Sequence, residues 1–478
     1  MKSTQKILLF LLFIFLSLSC STNNNEPTPT PIPENNTKEL TIFHINDSHG
    51  SIENFAKIKY IVDQEKKENS VLLVCAGDIF SGNPVVDNYD PKGYPMIDLM
   101  NKVGFDISEI GNHEFDYGET VLEDRLNQAQ FSWVCANVNM NTTGIPQPKT
   151  YQTITKDNIK VTFLGLVETN GKDDDIIPST HPWRVQDLTF QKYNDVIGNY
   201  SQIKETENSD LYIALTHLGL NTDKYIATNY PYFDLIIGGH SHSVANTTTN
   251  NIPIFQAGSN LNYLGKIKLT IINKKIESLQ YNLIDLNTYQ NEDSSIKENI
   301  DNYNNMANLD EVIGYSSYYH NSQQVGYFYT DILKNEMNVD VTFQNTGGIR
   351  NSLDQGDITK REIFEIDPFN NGCVTYSMTV SEIKNFLKGS KIAIYYAGIK
   401  IEEANNEVII KNLNNELLND NTTLTIGLND YIPAVYDTYF TQTPTYKTYT
   451  TAEGIIDYLK NNTTPINYTS YNNYFKFE

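Results

Sequence analysis

Short apolar runs alternate with longer polar stretches between residue 40 and about residue 270. Runs of this length are typical of buried strands. Three of them are followed by polar stretches that are compatible with helices, so the pattern predicts an α/β layered domain with strands buried on both faces. The runs are 40–43, 71–74, 161–167, 211–215 and 235–237.

The pattern changes after residue 285. Residues 286–310 are polar and rich in asparagine, without an apolar strand, so we expect a linker that is partly helical. A chain of 478 residues is longer than one hydrophobic core usually serves. We therefore expect a first domain at 39–285 and a second at 311–478. Within the second domain the pattern predicts strands near 339–343 and 374–378, and helices near 324–335, 381–388 and 452–460.

The first 38 residues have the features of an export signal and a tether. Lys2 and Lys6 precede an apolar run at 7–16 that is too short to span a bilayer as a helix. We therefore predict a secretory signal at 1–19. A small residue directly before Cys20 resembles a bacterial lipobox, which predicts that Cys20 carries lipid; the alternative is an ordinary signal peptide with an incidental cysteine. Residues 20–38 form a polar, proline-rich tether. These features predict an extracytoplasmic protein anchored to a bacterial membrane, on the periplasmic side or at the cell surface.

The net charge of the chain restricts the kinds of binding partner that we expect. The formal charge is −23, and it becomes −25 once Lys2 and Lys6 leave with the signal. Because nucleic-acid polymers are bound through basic surfaces, we do not expect one as a partner. A phosphate group of a substrate must instead be bound by the local positive charge of metal ions or arginine side chains. Cys75, Cys135 and Cys373 remain after Cys20, and an odd number does not indicate a disulfide framework.

Polar residues of metal-binding type follow the apolar runs where each run ends. Functional sites of α/β sheets lie at the carboxyl ends of strands, so we expect these side chains to meet. The spacing D-x-H would point Asp47 and His49 to one side of an extended strand. Asp78 follows a glycine that permits a tight turn. The full set is Asp47, His49, Asp78, Asn112, His113, Asp116, His217, His240 and His242.

The donor atoms of this set indicate the kind of metal site. Carboxylate and amide oxygens mixed with imidazole suit Zn, Mn, Fe or Co. The set is too large for one tetrahedral ion, so it predicts two divalent ions about 3.5–4 Å apart that share a carboxylate. A lone Gly-Asp is usually only a turn, and a lone histidine at a strand end is usually structural. The ordered set is far more specific than any of its members.

The order D-x-H, G-D, G-N-H-E, H, G-H-x-H resembles that of the calcineurin-like metallophosphoesterases. More narrowly, the chain resembles the bacterial 5′-nucleotidase/UDP-sugar hydrolase and ecto-5′-nucleotidase family, from about residue 40 to about residue 460. The resemblance implies an α/β fold with two domains. The first would be a four-layer α/β/β/α sandwich, and the second an α+β domain that binds substrate.

The resemblance also implies a role for each residue of the metal set. His113 would be catalytic without binding metal, and would stabilise the phosphoryl group or protonate the leaving oxygen. Asp116 would hold the other ring nitrogen of His113; the alternative is that Asp116 is only an acid at a helix start. The first ion would be bound by Asp47, His49 and His242, the second by Asn112, His217 and His240, and Asp78 would bridge the two.

Three segments of the second domain resemble the family's substrate site. Residues 345–350 resemble its N-G-G-G-I-R loop, with Thr346 in place of one glycine. Phe369 and Tyr431 match the two aromatic residues that stack on a nucleobase, although both could simply be core residues. The substrate residues implied by the resemblance are Asn345, Gly348, Arg350, Phe369, Tyr431 and Asp437.

The chain departs from the family pattern in this domain. The family's G-G-D-G after the second aromatic residue is replaced by a segment that keeps only Asp437. The arginines that the family places before the first helix of this domain are also missing. The phosphate would then rest on Arg350 alone, or on Arg350 helped by His320.

We weigh three functions from these observations. The first is a 5′-nucleotidase that releases phosphate from nucleotides outside the cytoplasm. The second uses the same metal centre on UDP-sugars or cyclic nucleotides, which the altered substrate segments permit. The third is a non-catalytic surface lipoprotein that binds a ligand, which would predict decay among the metal ligands; the resemblance finds all seven present.

Overall fold

The computed structural model describes residues 37–141, 143–306 and 309–478, and 37–478 forms one compact unit. The predicted signal peptide, Cys20 and nearly all of the tether lie outside the described residues. Within the described residues, every helix is too short or too polar to cross a bilayer. Cys75, Cys135 and Cys373 are buried as free thiols.

The first half of the chain alternates strands and helices as the apolar pattern predicts. Its strands are β1 (Thr37–Ile45), β2 (Val71–Cys75), β3 (Ile107–Glu109), β4 (Ser132–Val134), β5 (Val138–Asn139), β6 (Tyr151–Lys156), β7 (Ile159–Val167), β8 (Thr189–Phe190), β9 (Leu211–His217), β10 (Leu235–Gly238), β11 (Val244–Thr249), β12 (Ile252–Ala257), β13 (Tyr263–Ile272) and β14 (Lys275–Asp285). Its helices are α1 (Phe55–Glu65), α2 (Pro84–Asp87), α3 (Tyr94–Val103), α4 (Glu119–Gln128), α5 (Tyr193–Val196), α6 (Ile203–Thr206), α7 (Leu220–Asn229) and α8 (Ser294–Met306), with single 3₁₀ turns at His113–Phe115, Pro182–Arg184 and Ile197–Tyr200.

Two six-stranded sheets form the centre of this domain. One has the order β14-β13-β1-β2-β3-β4 and the other β11-β12-β10-β9-β7-β6. Their inner faces pack on each other through aliphatic side chains such as Ile42 and Ile213. Helices α1, α3 and α8 cover the outer face of the first sheet, and α7 covers that of the second. These layers confirm the predicted α/β/β/α sandwich.

The parallel strands explain where the site lies. In one sheet β1, β2, β3 and β4 run parallel, and in the other β7, β9, β10 and β12 do. Their carboxyl ends meet at one edge of the sandwich, where open α/β sheets place ligands. Both sheets therefore contribute residues to one site.

The predicted strands and helices of the second domain are all present. The strands are β15 (Val312–Ser316), β16 (Val341–Asn345), β17 (Gly356–Thr359), β18 (Gly372–Thr379), β19 (Ile394–Ala397), β20 (Lys400–Ala404), β21 (Glu407–Lys411), β22 (Thr423–Asn429), β23 (Thr445–Thr450) and β24 (Tyr474–Phe475). The helices are α9 (Ser322–Met337), α10 (Lys360–Ile366), α11 (Val380–Ser390), α12 (Tyr431–Val435) and α13 (Thr451–Asn461), with 3₁₀ turns at Thr346–Gly348 and Asp437–Tyr439. The domain is built on a third six-stranded sheet, of order β23-β18-β22-β16-β19-β24. Helices α9 and α13 pack on one face of this sheet, and α11 on the other.

The segment predicted to be a linker is partly helical. It contains α8, whose residues Ile296 and Ile300 are buried in the same cluster as the core of α1 and α3. This helix therefore packs on the first domain.

Candidate metal centre and active site

Three overlapping groups of side chains at the shared strand edge could hold a metal ion, and in each group the donor atoms lie within 4.8 Å of one another. The groups are Asp47, His49 and His242; His49, Asp78 and His113; and Asp78, His217 and His240. The first and third groups together contain six of the seven ligands that the family resemblance implies, and the seventh, Asn112, has its Oδ1 3.0 Å from the Nδ1 of His240.

Hydrogen bonds fix which atom each ligand presents. The Nδ1 of His217 lies 2.7 Å from the carbonyl oxygen of Ala76, so Nδ1 carries the proton and Nε2 is left free to bind metal. The same holds for His49, whose Nδ1 lies 3.2 Å from the carbonyl oxygen of Ser81. The Nδ2 of Asn112 donates to a backbone carbonyl at 3.0 Å, and its Oδ1 is 3.0 Å from the Nδ1 of His240.

Five of the seven candidate ligands stand on left-handed turns and not on extended strand. The expectation that Asp47 and His49 lie on a strand was wrong, because β1 ends at Ile45 and both residues follow it with φ of 50° and 47°. Asp78, His240 and His242 are also left-handed, with φ of 55°, 76° and 52°. Such a conformation costs on the order of 1–3 kcal/mol for each non-glycine residue and persists only where the surroundings enforce it. Five strained ligands in one cluster indicate a backbone built for binding.

Gly77 shows how close this packing is. Its φ is +82°, and a Cβ there would lie 2.7 Å from the backbone nitrogen of Gly111 and 2.8 Å from the Nδ1 of His217. The glycine before Asp78 therefore permits both the predicted turn and the approach of the neighbouring loop and ligand.

Glu114 ties two of these turns together and had no predicted role. Its carboxylate is buried and accepts the backbone N–H groups of Asp78 at 3.1 Å, Ile79 at 2.7 Å and Gly111 at 2.6 Å. Glu114 thereby holds the turn of Asp78 against the loop that carries Asn112. The motif G-N-H-E contains this residue, but its sequence does not reveal that the carboxylate faces the backbone.

The charges of the ligand set suit divalent cations. Asp47 is fully buried, and burial raises its pKa to about 7. Burial would also raise the pKa of Asp78, but His217 and His113 hold it well below its usual range. The buried Nε2 of His217 lies 2.9 Å from Asp78 Oδ2. Burial would lower the pKa of His217, but Asp78 outweighs it and holds that pKa well above its usual range. A bound divalent cation would take the place of the Nε2 proton beside this carboxylate.

His113 and Asp116 form a hydrogen-bonded pair beside the ligands. The Nδ1 of His113 is 2.5 Å from Asp116 Oδ2, and the hydroxyl of Thr180 donates to Asp116 Oδ1 at 2.7 Å. Burial alone would lower the pKa of His113, but Asp116 and Asp78 outweigh it and raise that pKa to about 9. The hydrogen bond to Asp116 therefore fixes the orientation of the imidazole, and the two carboxylates favour its protonated form, as a proton donor requires.

One cavity of about 440 Å³ joins the metal ligands to the second domain. Arg350 reaches into it with its guanidinium 5.6 Å from the ring centre of Phe369, which in turn stacks at 6.1 Å on His113. The amide of Asn345 is oriented by Asn429, whose Nδ2 donates to Asn345 Oδ1 at 2.8 Å. The predicted substrate residues that line this cavity are Asn345, Gly348, Arg350, Phe369 and Tyr431. After the base-binding role that the family resemblance implies for Phe369 and Tyr431, we call it the nucleoside slot.

Two residues of the second domain lie elsewhere. Asp437 lines a neighbouring cavity, and its carboxylate accepts from Lys172 Nζ at 2.9 Å, because the segment after Tyr431 forms α12 in place of a glycine loop. His320 is fully buried, with its Nδ1 3.1 Å from the hydroxyl of Ser316 and its Nε2 accepting from the N–H of Tyr468 at 2.9 Å. Neither side chain lines the slot, so the structure does not support the predicted substrate role of Asp437 or the suggested help from His320.

The slot also contains residues of the first domain that the sequence did not indicate. Arg184 donates from Nη2 to the carbonyl oxygen of Phe369 at 2.8 Å. His181 lies 3.2 Å from a carboxylate oxygen of Asp430 and edge-on to Tyr431 at 6.0 Å. They belong to a loop that begins at the carboxyl end of β7. This position after a strand was the one feature of the sequence that could have indicated a role at the site. The first-domain residues of this loop that line the slot are Ser179, Thr180, His181 and Arg184.

Comparison with protein families gives a match for two parts of the chain. A family model for the calcineurin-like phosphoesterase domain matches residues 40–244, and one for the 5′-nucleotidase C-terminal domain matches residues 305–442. The first match contains all seven candidate ligands, and the second contains every predicted substrate residue.

Individual relatives cover most of the chain. The protein UshA of Escherichia coli K12 is 28% identical over 427 residues, which are 74% of this chain and 76% of UshA. The trifunctional nucleotide phosphoesterase protein YfkN of Bacillus subtilis 168 is 27% identical over 411 residues, but the match spans only 28% of that longer protein. The crystal structure of a 5′-nucleotidase precursor from Thermus thermophilus has the same fold, with a TM-score of 0.77, 20% identity, and coverage of 88% of this chain and 96% of its own. The chain therefore belongs to the family of metal-dependent phosphoester hydrolases that combine a calcineurin-like phosphoesterase domain with a 5′-nucleotidase C-terminal domain.

Proposed function

We propose that the protein is a 5′-nucleotidase with two divalent ions, which releases phosphate from nucleotides outside the cytoplasm. The observation that carries this proposal is the composition of one cavity. Candidate metal ligands, the pair His113–Asp116, Arg350 and two aromatic residues all line the nucleoside slot. A slot with a phosphate-binding end and an aromatic end suits a nucleoside monophosphate.

The candidate ligands divide between the two ions as follows. Asp47, His49 and His242 would hold one ion, and Asn112, His217 and His240 the other, with Asp78 between them. When bound, such ions supply Lewis acidity that activates water and offsets phosphoryl charge. Their identity among Zn, Mn, Co and Fe is left to metal analysis of the purified protein.

The remaining residues act on the phosphate and on the leaving group. Arg350 offers a planar set of donors that suits phosphoryl oxygens. His113, protonated and held by Asp116, would give its Nε2 proton to the departing 5′-oxygen of the nucleoside. Phe369 and Tyr431 would stack on the base, and such contacts tolerate different bases.

Phosphate release across a substrate panel tests the proposal. The panel contains AMP, UDP-glucose, a cyclic nucleotide and an aryl phosphate, each with Mn, Co or Zn. We expect AMP to have the highest kcat/KM. Activity on the aryl phosphate alone would contradict the nucleotidase proposal. Activity on none of them in any metal would favour a non-catalytic binding protein instead.

A second cavity favours nucleotide-sugars as a further candidate class. It has a volume of about 980 Å³, shares His242 and Arg350 with the nucleoside slot, and lies beside His49. Amide side chains and acids line it, including Asn260, Asn351 and Glu365, so its walls suit hydroxyl groups. The sugar of a substrate whose phosphorus carries a second substituent could occupy this space. Asn351→Trp should then lower the activity on UDP-glucose and leave that on AMP unchanged.

Membrane anchoring forms a separate part of the proposal. We infer it from the basic and apolar N-terminal segment, Cys20 and the tether that follows. Mass spectrometry of protein from a bacterial membrane should find an acylated Cys20 as the first residue. Cys20→Ser should release the protein from the membrane, and membrane retention of that variant would contradict a lipid anchor.

A further inference from the structure

The loop at residues 168–184 closes on a buried carboxylate. Glu168, directly after β7, accepts the N–H of Asn170 through Oε2 at 2.6 Å and the N–H of Ser179 through Oε1 at 2.6 Å. A backbone bond from the N–H of Gly171 to the carbonyl oxygen of Ile177 closes the loop further, at 2.9 Å. We call residues 168–184 the bridging loop.

One side of the bridging loop contacts the catalytic groups. The carbonyl oxygen of Ser179 accepts from Asn112, and the hydroxyl of Thr180 donates to Asp116. Through these two bonds the loop is held against the candidate ligand Asn112 and against Asp116, the partner of His113.

The other side of the loop contacts both aromatic walls of the nucleoside slot. Arg184 donates to the carbonyl oxygen of Phe369 at 2.8 Å. The Nδ1 of His181 accepts the N–H of Trp183 at 3.3 Å, so Nε2 carries the proton and donates to Asp430 at 3.2 Å. Asp430 directly precedes Tyr431. Each wall is therefore attached to the first domain by one side-chain hydrogen bond.

We propose that Arg184 and His181 are positioning residues that set the spacing and angle of Phe369 and Tyr431 for the base. The inference rests on the proposed function, because it concerns the nucleoside part of the substrate. Stacking on two faces requires the two walls to stand at a defined separation. In this chain the second domain lacks a glycine loop after Tyr431, and the first domain supplies the attachment.

A role in positioning the walls predicts effects that depend on the substrate. A nucleotide uses both walls, whereas a small aryl phosphate fills only the phosphate end and needs neither. Loss of an attachment should therefore raise KM for AMP and leave kcat nearly unchanged. A loop that acted only through Asn112 and Asp116 would instead lower the kcat for both substrates.

Two conservative variants test this in the full-length protein. Arg184→Met keeps the aliphatic stem and removes the donors, and His181→Phe keeps a ring against Tyr431 and removes the bond to Asp430. We expect each to raise KM for AMP about five- to tenfold, the loss expected for one hydrogen bond. Kinetics on the aryl phosphate, the melting temperature and the content of bound metal should all stay at wild-type values. Arg184→Lys should have a KM for AMP close to the wild-type value, since an ammonium group can still donate to the carbonyl oxygen of Phe369.

Lys172→Ala is the matched control. Lys172 lies on the same loop and also bonds to the second domain, but its partner Asp437 lines the neighbouring cavity. This variant should leave KM for AMP unchanged. A KM increase as large as that of Arg184→Met would mean that any loosening of the loop has the same effect, and would overturn the assignment to Arg184 and His181.

The remaining outcomes separate this inference from the proposed function. Wild-type KM for AMP in both variants overturns the inference alone. Parallel losses on AMP and on the aryl phosphate also overturn it, because the loop would then act on the catalytic groups. Failure of the wild-type protein to hydrolyse any nucleotide overturns the proposed function, and this inference with it.

Discussion

The metal end and the nucleoside end of the site are held by different kinds of structure. At the metal end, Asp47, Asp78 and His217 are at most 1% exposed, and the bonds that orient them come from the backbone of neighbouring strand ends in one domain. At the nucleoside end, the walls come from the second domain and are attached to the first by two side-chain hydrogen bonds.

This difference separates the chemistry from the specificity. The ligands are bound to several partners at once, so one change at the metal end should disturb several turns together. The slot depends on a few bonds between loops, and loops tolerate substitution better than buried strands. A chain can therefore lose family residues in its substrate segments and keep all seven candidate metal ligands, as this one does.

The largest effect should come from Asp78, the residue that we propose bridges the two ions. Asp78→Asn removes one negative charge from the proposed bridge while keeping the shape of the side chain. Metals contribute several kcal/mol of transition-state stabilisation, so we expect a loss of about 10³-fold or more in kcat/KM on every substrate. Metal analysis should show fewer bound ions. Two ions bound with wild-type affinity would contradict the bridging role.

His113→Ala should have a smaller effect that depends on the leaving group. Loss of a general acid typically costs about 10²-fold or more when the leaving group needs a proton, as the 5′-oxygen of AMP does. An aryl oxide leaves without one, so the same variant should retain most of its activity on the aryl phosphate. Both ions should remain bound. Loss of an ion would show that His113 is itself a ligand.

The metal end could be read from the sequence because its residues lie in short local motifs at predictable strand ends. Asp47, Asp78 and His217 each lie within four residues of the end of an apolar run. What the motifs did not reveal was the left-handed backbone at Asp47 and His49. That conformation is enforced by bonds such as the one from the N–H of Asp47 to the carbonyl oxygen of Gly77 at 3.0 Å, which joins separate strands.

The nucleoside end could be predicted only in part. Phe369 and Arg350 lie in recognisable segments, and both line the slot. Asp437 matches the aspartate of the family pattern, but the segment before it forms a helix in place of a glycine loop, so its side chain lies outside the slot. Arg184 and His181 reach the slot from another domain, and a contact between domains leaves no pattern in the local sequence. The hairpin of β13 and β14 was not among the predicted runs for a different reason: its strands alternate apolar with polar residues.

Glu114→Gln should weaken metal binding without removing a ligand. The amide keeps the size of the side chain but has one acceptor oxygen for three backbone N–H groups, so the turn of Asp78 should loosen. Substitutions of residues that orient metal ligands typically weaken affinity by about 10–100-fold. Titration calorimetry should show the change, and added metal should restore kcat. Asp106→Asn is the matched control, because Asp106 accepts the N–H of Leu73 at 2.8 Å at the far end of the same strands; it should leave metal affinity unchanged.

Phe369→Leu should give the smallest effect and mark the boundary between the two ends of the site. Leucine keeps an apolar side chain in the slot but loses the flat ring. Base stacking is worth about 1–3 kcal/mol, and the apolar contact of leucine with the base retains part of that free energy. We expect KM for AMP to rise about fivefold, the equivalent of about 1 kcal/mol. Kinetics on the aryl phosphate and the affinity for metal should stay at wild-type values. Because Phe369 also stacks on His113, a fall in kcat for both substrates is the contradicting outcome. It would mean that the slot helps to orient the proton donor, and that the two ends of the site are coupled.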